Sequence, residues 1–244
     1  VGGIYNIAYI IDRLTIESDA TLTIEPGVVI KFANYRSNIN VNGALSADGT
    51  QTEKIVFTSL SDDSKGGDTN DDGNATGPDK GNWWSIIFNA SERDTANLLN
   101  NCLLNYGGRD QSGWTDRKDF GTIRFFNATA KVDSCRIEQS HTSALGIYGS
   151  ASPSITNCDM HNIQHTPVTM SLFASPSFAG NTMSNLGITA IGIARETYAL
   201  DGTVPIRNFA GYDNITYYMY GTCTVNSGTI LTIPNGVVFK MSNI

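Results

Sequence analysis

Long apolar runs are missing from this chain. No stretch approaches the roughly 18 uninterrupted apolar residues that a membrane-spanning helix requires, so no segment is expected to insert into a membrane. Positive charge is also scarce, with 16 Lys and Arg against 23 Asp and Glu and a net charge of −7. That balance argues against nucleic acid or an anionic membrane surface as a partner, and leaves calcium, cell-surface material and glycans as compatible ones. Histidine is rare, and no HExxH, nucleophile elbow, Gly-rich phosphate loop or CxxC pair occurs. Sustained helical spacing is lacking too. Apolar residues alternate over short runs rich in Val, Ile and Phe, broken by Gly, Asn, Ser and Pro, and that pattern builds strands.

What the chain has instead is a period. Val132, Ile155 and Phe178 recur every 23 residues, and so do Cys135, Cys158 and Asn181. A second column, Leu145, Val168 and Ile191, is followed two residues later by Ile147, Met170 and Ile193. The turn Ala151-Ser152-Pro153-Ser154 is echoed by Ala174-Ser175-Pro176-Ser177. A fixed period of this size means a solenoid, in which a turn buries its apolar face only when a neighbour stacks on it. Short strands wound once per period describe an all-β parallel β-helix, right-handed as parallel crossovers almost always are. About ten coils at ~4.8 Å spacing predict a rod about 50 Å long.

The period also bears on the four cysteines. Cys135 and Cys158 alternate with apolar neighbours, and Cys102 reads as the same column one coil earlier, so stacked buried thiols are expected rather than disulfides. Cys223 lies outside that column. The coil from Cys102 to Cys135 is 33 residues long, ten more than its neighbours, and the polar run 107–118 is the expected loop insertion.

A larger repeat contains the small ones. Residues 22–32, LTIEPGVVIKF, match residues 231–241, LTIPNGVVFKM, at seven of eleven positions with an offset of 209. Thr15 and Ser18 match Thr224 and Ser227, and Asn6-Ile7-Ala8-Tyr9 matches Asn214-Ile215-Thr216-Tyr217 one residue out of step. The expected organisation is one full large repeat over 1–209 and the opening coils of a second over 210–244. No amphipathic capping helix is evident at either end, and Val1-Gly2-Gly3 suggests a mature product or an excised piece; a tandem array is the expectation.

The run LTIEPGVVIKF, INVNGALSADGT, KIVFTS, the acidic GGDTNDDG loop, GNWWSIIF and NNCLLNYGG resembles the right-handed parallel β-helix proteins secreted by bacteria, large repetitive surface proteins in particular. The likeness covers nearly the whole chain and is most specific over 22–108. It implies a β-helix and an extracellular or cell-surface location. It implies no single activity, because the fold serves adhesins, fibres and polysaccharide enzymes.

The strongest chemical signal is an insertion around 60–82. Calcium takes six to eight oxygens, and a loop with carboxylate or amide oxygens at positions 1, 3 and 5, Gly at 6 and an acid at 12 can wrap it. Asp68, Asn70, Asp72, Gly73 and Asp79 occupy those positions, with Asp62 and Asp63 as further ligand candidates. Asp79 is shorter than the usual Glu and no helix flanks the loop, so the resemblance to an EF-hand is local. The expected role of the ion is structural, pinning a long acidic loop.

Trp83 and Trp84 are expected to pack, one inward and one at the surface, and Trp114 is the better candidate for a contact residue. Tyr212, Tyr217, Tyr218 and Tyr220 suggest an aromatic strip. Asp159 points outward if Cys158 points inward, while His161 and His165 are expected around the next turn; with Arg136 they are read as ordinary surface groups rather than a catalytic set. Asn74, Asn89, Asn127 and Asn214 head Asn-x-Ser/Thr sequons. Regular Thr-x-Thr ladders of an ice-binding surface do not occur. The function expected is therefore an extracellular structural or adhesive module with a calcium loop. Its partners would be neighbouring repeats, copies of itself in a fibre, or surface glycans; a polysaccharide-binding or carbohydrate-active β-helix is the alternative.

Overall fold

A computed structural model of the chain describes residues 8–110 and 117–241. Val1-Gly2-Gly3, Asn6, Ile7 and Trp114 lie outside the described residues.

Strands pair in parallel and form three long sheets. Sheet I has seven strands, from Ala8–Ile11 to Thr182–Leu186; sheet II has nine, from Arg13–Ile16 to Phe239–Met241; sheet III has six, from Thr21–Ile24 to Ser177–Ala179. The chain visits I, II and III in rotation, so successive strands of one sheet come from successive coils. This is a parallel β-helix solenoid. Among the described residues the longest sheet has nine strands, one to a coil, close to the ten or so expected, which at ~4.8 Å spacing gives a rod of roughly 40 Å.

The 23-residue columns stack as the period demands. Val132 faces Ile155 and Ile155 faces Phe178 in sheet III, while Leu145 faces Val168 and Val168 faces Ile191 in sheet II. The interior is one continuous apolar core along the rod. Phe88 and Phe125 stack in it at 5.3 Å between ring centroids. Cys102, Cys135 and Cys158 are buried free thiols in this core. Their sulfurs reach carbonyls one coil back, on Ala47, Leu99 and Val132 at 3.7, 3.4 and 3.6 Å. Asn181 continues the column with an amide instead: it accepts from Cys158 N at 2.9 Å and donates to Ile155 O at 2.9 Å.

The corners explain the asparagines. Tyr106, Gln139, Asn162 and Asn185 hold φ of 65, 57, 54 and 51° at one corner, between sheets I and II. A left-handed residue turns the chain in one step, and Asn tolerates that conformation better than most. Stacking then pairs the amides, with Asn162 Nδ2 donating to Gln139 Oε1 at 2.7 Å and Asn185 Nδ2 to Asn162 Oδ1 at 3.0 Å.

Past the strand Ile191–Ile193 the cross-section changes. Sheets I and III have ended, and two separate two-stranded sheets take over: sheet IV pairs Thr197–Tyr198 with Thr224–Val225, and sheet V pairs Gly202–Thr203 with Leu231–Thr232. Only sheet II continues. The two segments related by the 209-residue offset pair their strands in the same register: Tyr9, Ile10 and Ile11 face Ile30, Lys31 and Phe32, and Tyr217, Tyr218 and Met219 face Phe239, Lys240 and Met241.

Candidate functional site

Two insertions leave the solenoid at the same corner, between sheets I and II, on consecutive coils. The first joins Ile55–Ser59 to Ile86–Asn89 and the second joins Cys102–Asn105 to Ile123–Phe126. The first lies along the outside of sheet I as a strap. A Cβ on its Gly66 would sit 2.9 Å from Ala8 Cβ in the first coil, and its Lys80 Nζ donates to Asn162 Oδ1, in the sixth strand of that sheet, at 3.0 Å.

Under the strap Lys31 is fully buried. Its ammonium donates to Gly67 O at 2.5 Å and Thr69 Oγ1 at 2.9 Å. Burial holds its pKa below the ordinary lysine value, partly offset by Asp63, Asp62 and Asp68. Buried Asp62 anchors the strap's start: Thr58 and Ser64 hydroxyls donate to its two oxygens at 2.6 Å each.

Beside this lysine, Asp63, Asp68 and Asp72 each bring a carboxylate oxygen to within 4.8 Å of the others. Asp68 clasps the turn, accepting the backbone N–H of Gly73 at 2.8 Å and of Asp72 at 3.3 Å. Asn70 Nδ2 donates to Asp72 Oδ2 at 2.7 Å. Asp63 Oδ1, Asn70 Oδ1 and Asp72 Oδ1 are buried atoms with no hydrogen-bond partner. A buried acceptor without a donor is costly, and three carboxylates with the Asn70 amide oxygen, three of the four groups carrying such an acceptor, are of the hard-oxygen type that calcium takes. Asp79 is not in this group: its Oδ1 accepts the N–H of Lys80 at 2.7 Å. The spacing of an EF-hand loop thus leads to Asp68, Asn70 and Asp72, and the fold supplies Asp63 from before the loop.

Trp83 enters the core, stacked on Phe32 at 4.0 Å with its Nε1 donating to Asn105 O at 2.6 Å. Half-buried Trp84 covers Arg124, whose guanidinium carbon lies 4.9 Å from the ring centroid. Arg124 is fully buried, donating from Nε to Gly121 O and from Nη2 to Arg109 O, both at 3.1 Å. Burial pulls its pKa down to about 10, against the pull of Tyr148, Asp119 and Asp110, so it stays charged at neutral pH. The only sequence signal for this residue was a charge at an outward strand position. The second insertion presses on sheet II closely enough that a Cβ on Gly146 would lie 2.2 Å from Phe120 O.

His161 falls on the strand Asp159–Ile163 itself, not around the next turn, because that strand runs five residues and its side chains alternate. It therefore shares the outer face of sheet I with Asp159. Arg136 Nε meets Glu138 Oε2 at 2.6 Å and Asp159 Oδ2 at 3.8 Å. Thr182 Oγ1 donates to Asp159 at 2.9 Å, and His161 Nδ1 pairs with Ser184 Oγ at 2.8 Å. These charges satisfy one another across an exposed sheet face. His165 lies apart, packed between Phe120 and Tyr220 at 5.1 and 6.0 Å.

The four tyrosines do not make one strip. Tyr217 is in the core, Tyr218 and Tyr220 meet edge to face outside sheet II, and exposed Tyr212 lines a cleft with Phe178 and Phe209. Three sequon asparagines are engaged: Asn89 Nδ2 donates to Asn40 and Asn42, Asn127 Oδ1 accepts from Ser150 N, and Asn214 Nδ2 donates to Gly236 O. Asn74 is exposed.

Fold and site together define a strapped parallel β-helix, and among the described residues no helix is long and apolar enough to cross a membrane. Comparison with protein families, curated proteins and solved structures gave no match.

Proposed function

We propose that this chain is a structural and adhesive β-helix module of a tandemly repeated extracellular or cell-surface protein. Neighbouring repeats, or further copies in a fibre, are its main partners. The observation that carries the reading is the coil at 217–241, which matches the first coil in sequence and pairs its strands in the same register. A repeat that rebuilds its own first coil suits a rod extended by addition of units. The gene of the full-length protein tests it: several copies of the 209-residue unit are expected, and a single copy refutes the array.

In this reading calcium pins the strap. Asp63, Asp68 and Asp72 with the Asn70 amide oxygen would hold the ion, water completing its shell, and the ion would neutralise carboxylates that otherwise repel. Adding calcium to chelator-treated protein should raise the melting temperature by about 5 °C at a hundredfold excess over Kd. Asp72→Asn should remove most of that rise. An unchanged transition, with no ion bound by calorimetry, overturns the calcium assignment.

A second reading, glycan binding or carbohydrate chemistry, is favoured by Arg136, Glu138, Asp159 and His161 on one exposed sheet face. Paired carboxylates can serve as acid and base in glycoside hydrolysis. Release of reducing sugar from acidic or neutral polysaccharides, lost in Glu138→Gln, would favour it over the scaffold.

A further inference from the structure

The two related coils do not begin on the same sheet. Ala8–Ile11 opens sheet I, whereas its counterpart Tyr217–Met219 lies in sheet II. The rest of the coil follows with the same displacement. Arg13–Ile16 in sheet II corresponds to Thr224–Val225 in sheet IV, Thr21–Ile24 in sheet III to Leu231–Thr232 in sheet V, and Val29–Phe32 in sheet I to Phe239–Met241 in sheet II. From the first strand to Tyr217–Met219 there are 22 strand steps at three to the turn, which is seven turns and one face.

The chain therefore contains its own picture of what covers a first coil. Tyr217, the counterpart of Tyr9, faces Ile191; Thr224 and Val225, counterparts of Thr15 and Ile16, face Thr197 and Tyr198; Leu231, counterpart of Leu22, faces Gly202. In the first coil two of the matching positions, Tyr9 and Leu22, line an open apolar cavity of about 310 Å³ together with Ile11, Leu14, Val28 and Ile30. Sheets I, II and III each begin there, at a strand paired on one side only among the described residues.

We propose that this end receives the closing coil of a preceding unit, equivalent to residues 191–203, so that sheet II of one unit runs on as sheet I of the next. The proposal rests on the tandem-array reading and adds a geometry to it: each unit is turned by about a third of a turn relative to its neighbour. The straps, which lie on sheet I, would then face three directions in succession, and the fourth unit would present its strap as the first does. Lys240 fits this arrangement. It is the counterpart of Lys31, which is buried by strap contacts, yet Lys240 is exposed on sheet II, the face where a following unit's strap would lie.

The junction can be tested in the chain itself and the turn in a longer protein. In Ile193→Cys with Met219→Cys, register partners across sheet II, oxidation is expected to form a disulfide in high yield. A pair joining Ser184→Cys on sheet I to Tyr218→Cys should form none. Electron cryomicroscopy of a natural segment of four units should then show straps on three successive faces. A sheet I cross-link, or straps aligned along one face, overturns the turn and leaves the array standing. A gene with one copy overturns the array and the unit-to-unit turn together, whatever the cross-links show.

Discussion

Lys80 and Asn162 are 82 residues apart in sequence, and their side chains meet at 3.0 Å. That contact ties the end of the first insertion to a coil three strands further along sheet I, converting a loop into a strap.

Breaking it should loosen the strap more than the rod. In Lys80→Met the loss of global stability is expected to be about 1 kcal/mol, since the pair is partly exposed. Limited proteolysis should cut within 60–82 several times faster while the core transition keeps its place. Equal cutting rates in variant and parent would count against the tie.

The thiol column predicts a reactivity order. Burial pushes the Cys135 thiol well up, helped by its neighbour Cys102, and the contact with Cys135 together with burial pushes Cys158 up. Half-buried Cys223 should react with a thiol reagent in the native state, and Cys102, Cys135 and Cys158 only on unfolding. The sign of the linkage follows: the unfolded chain loses its thiol protons near pH 9 while the folded chain keeps them, so stability falls as pH rises above that value. Replacing Cys135 and Cys158 with Ala should flatten this alkaline slope, measured by denaturant titration.

His165 predicts the opposite edge. Burial lowers its pKa below 6.5, with His141 and Arg117 adding to the effect and Asp110 opposing it. Below pH 6.5 the unfolded chain binds a proton there that the folded chain refuses, so stability falls as pH drops through that range. His165→Phe should reduce the acid-side slope, read from melting temperatures between about pH 7 and pH 5; an unaltered slope would show that other groups set it.

Gly146 has no room for a side chain beneath Phe120 O. Gly146→Ala should cost about 1–3 kcal/mol by forcing the second insertion off sheet II. Phe125→Ala, at the Phe88 stack, should cost about 3–5 kcal/mol through the core cavity. Circular dichroism melts would separate them: both should unfold earlier, but only Gly146→Ala should expose Arg124, read as lost Trp84 fluorescence perturbation.

Much of the rod was legible because a solenoid writes its packing into the sequence as a period. Val132, Ile155 and Phe178 are local neighbours in the fold for the same reason that they are 23 apart in the chain. The closeness of Asp68, Asn70 and Asp72 was legible too, since a tight turn gathers the side-chain oxygens of a short stretch. The sequence marks Asp63 as a further candidate, but that it and not Asp62 joins the cluster, with Lys31 buried beside it, depends on how the strap lies on sheet I. The position of His161 turned on where one strand ends, which alternating polar residues do not mark.

By itself the sequence determined the coil, its apolar columns, its thiol stack and the kinship of 22–32 with 231–241, all consequences of residues repeating at fixed spacing. Only the tertiary structure decided which face each repeat lands on. A coil that closes one strand early or late leaves the local pattern unchanged and rotates everything after it, so the face on which the strap lies and the burial of Lys31 and Arg124 belong to the winding of the whole chain.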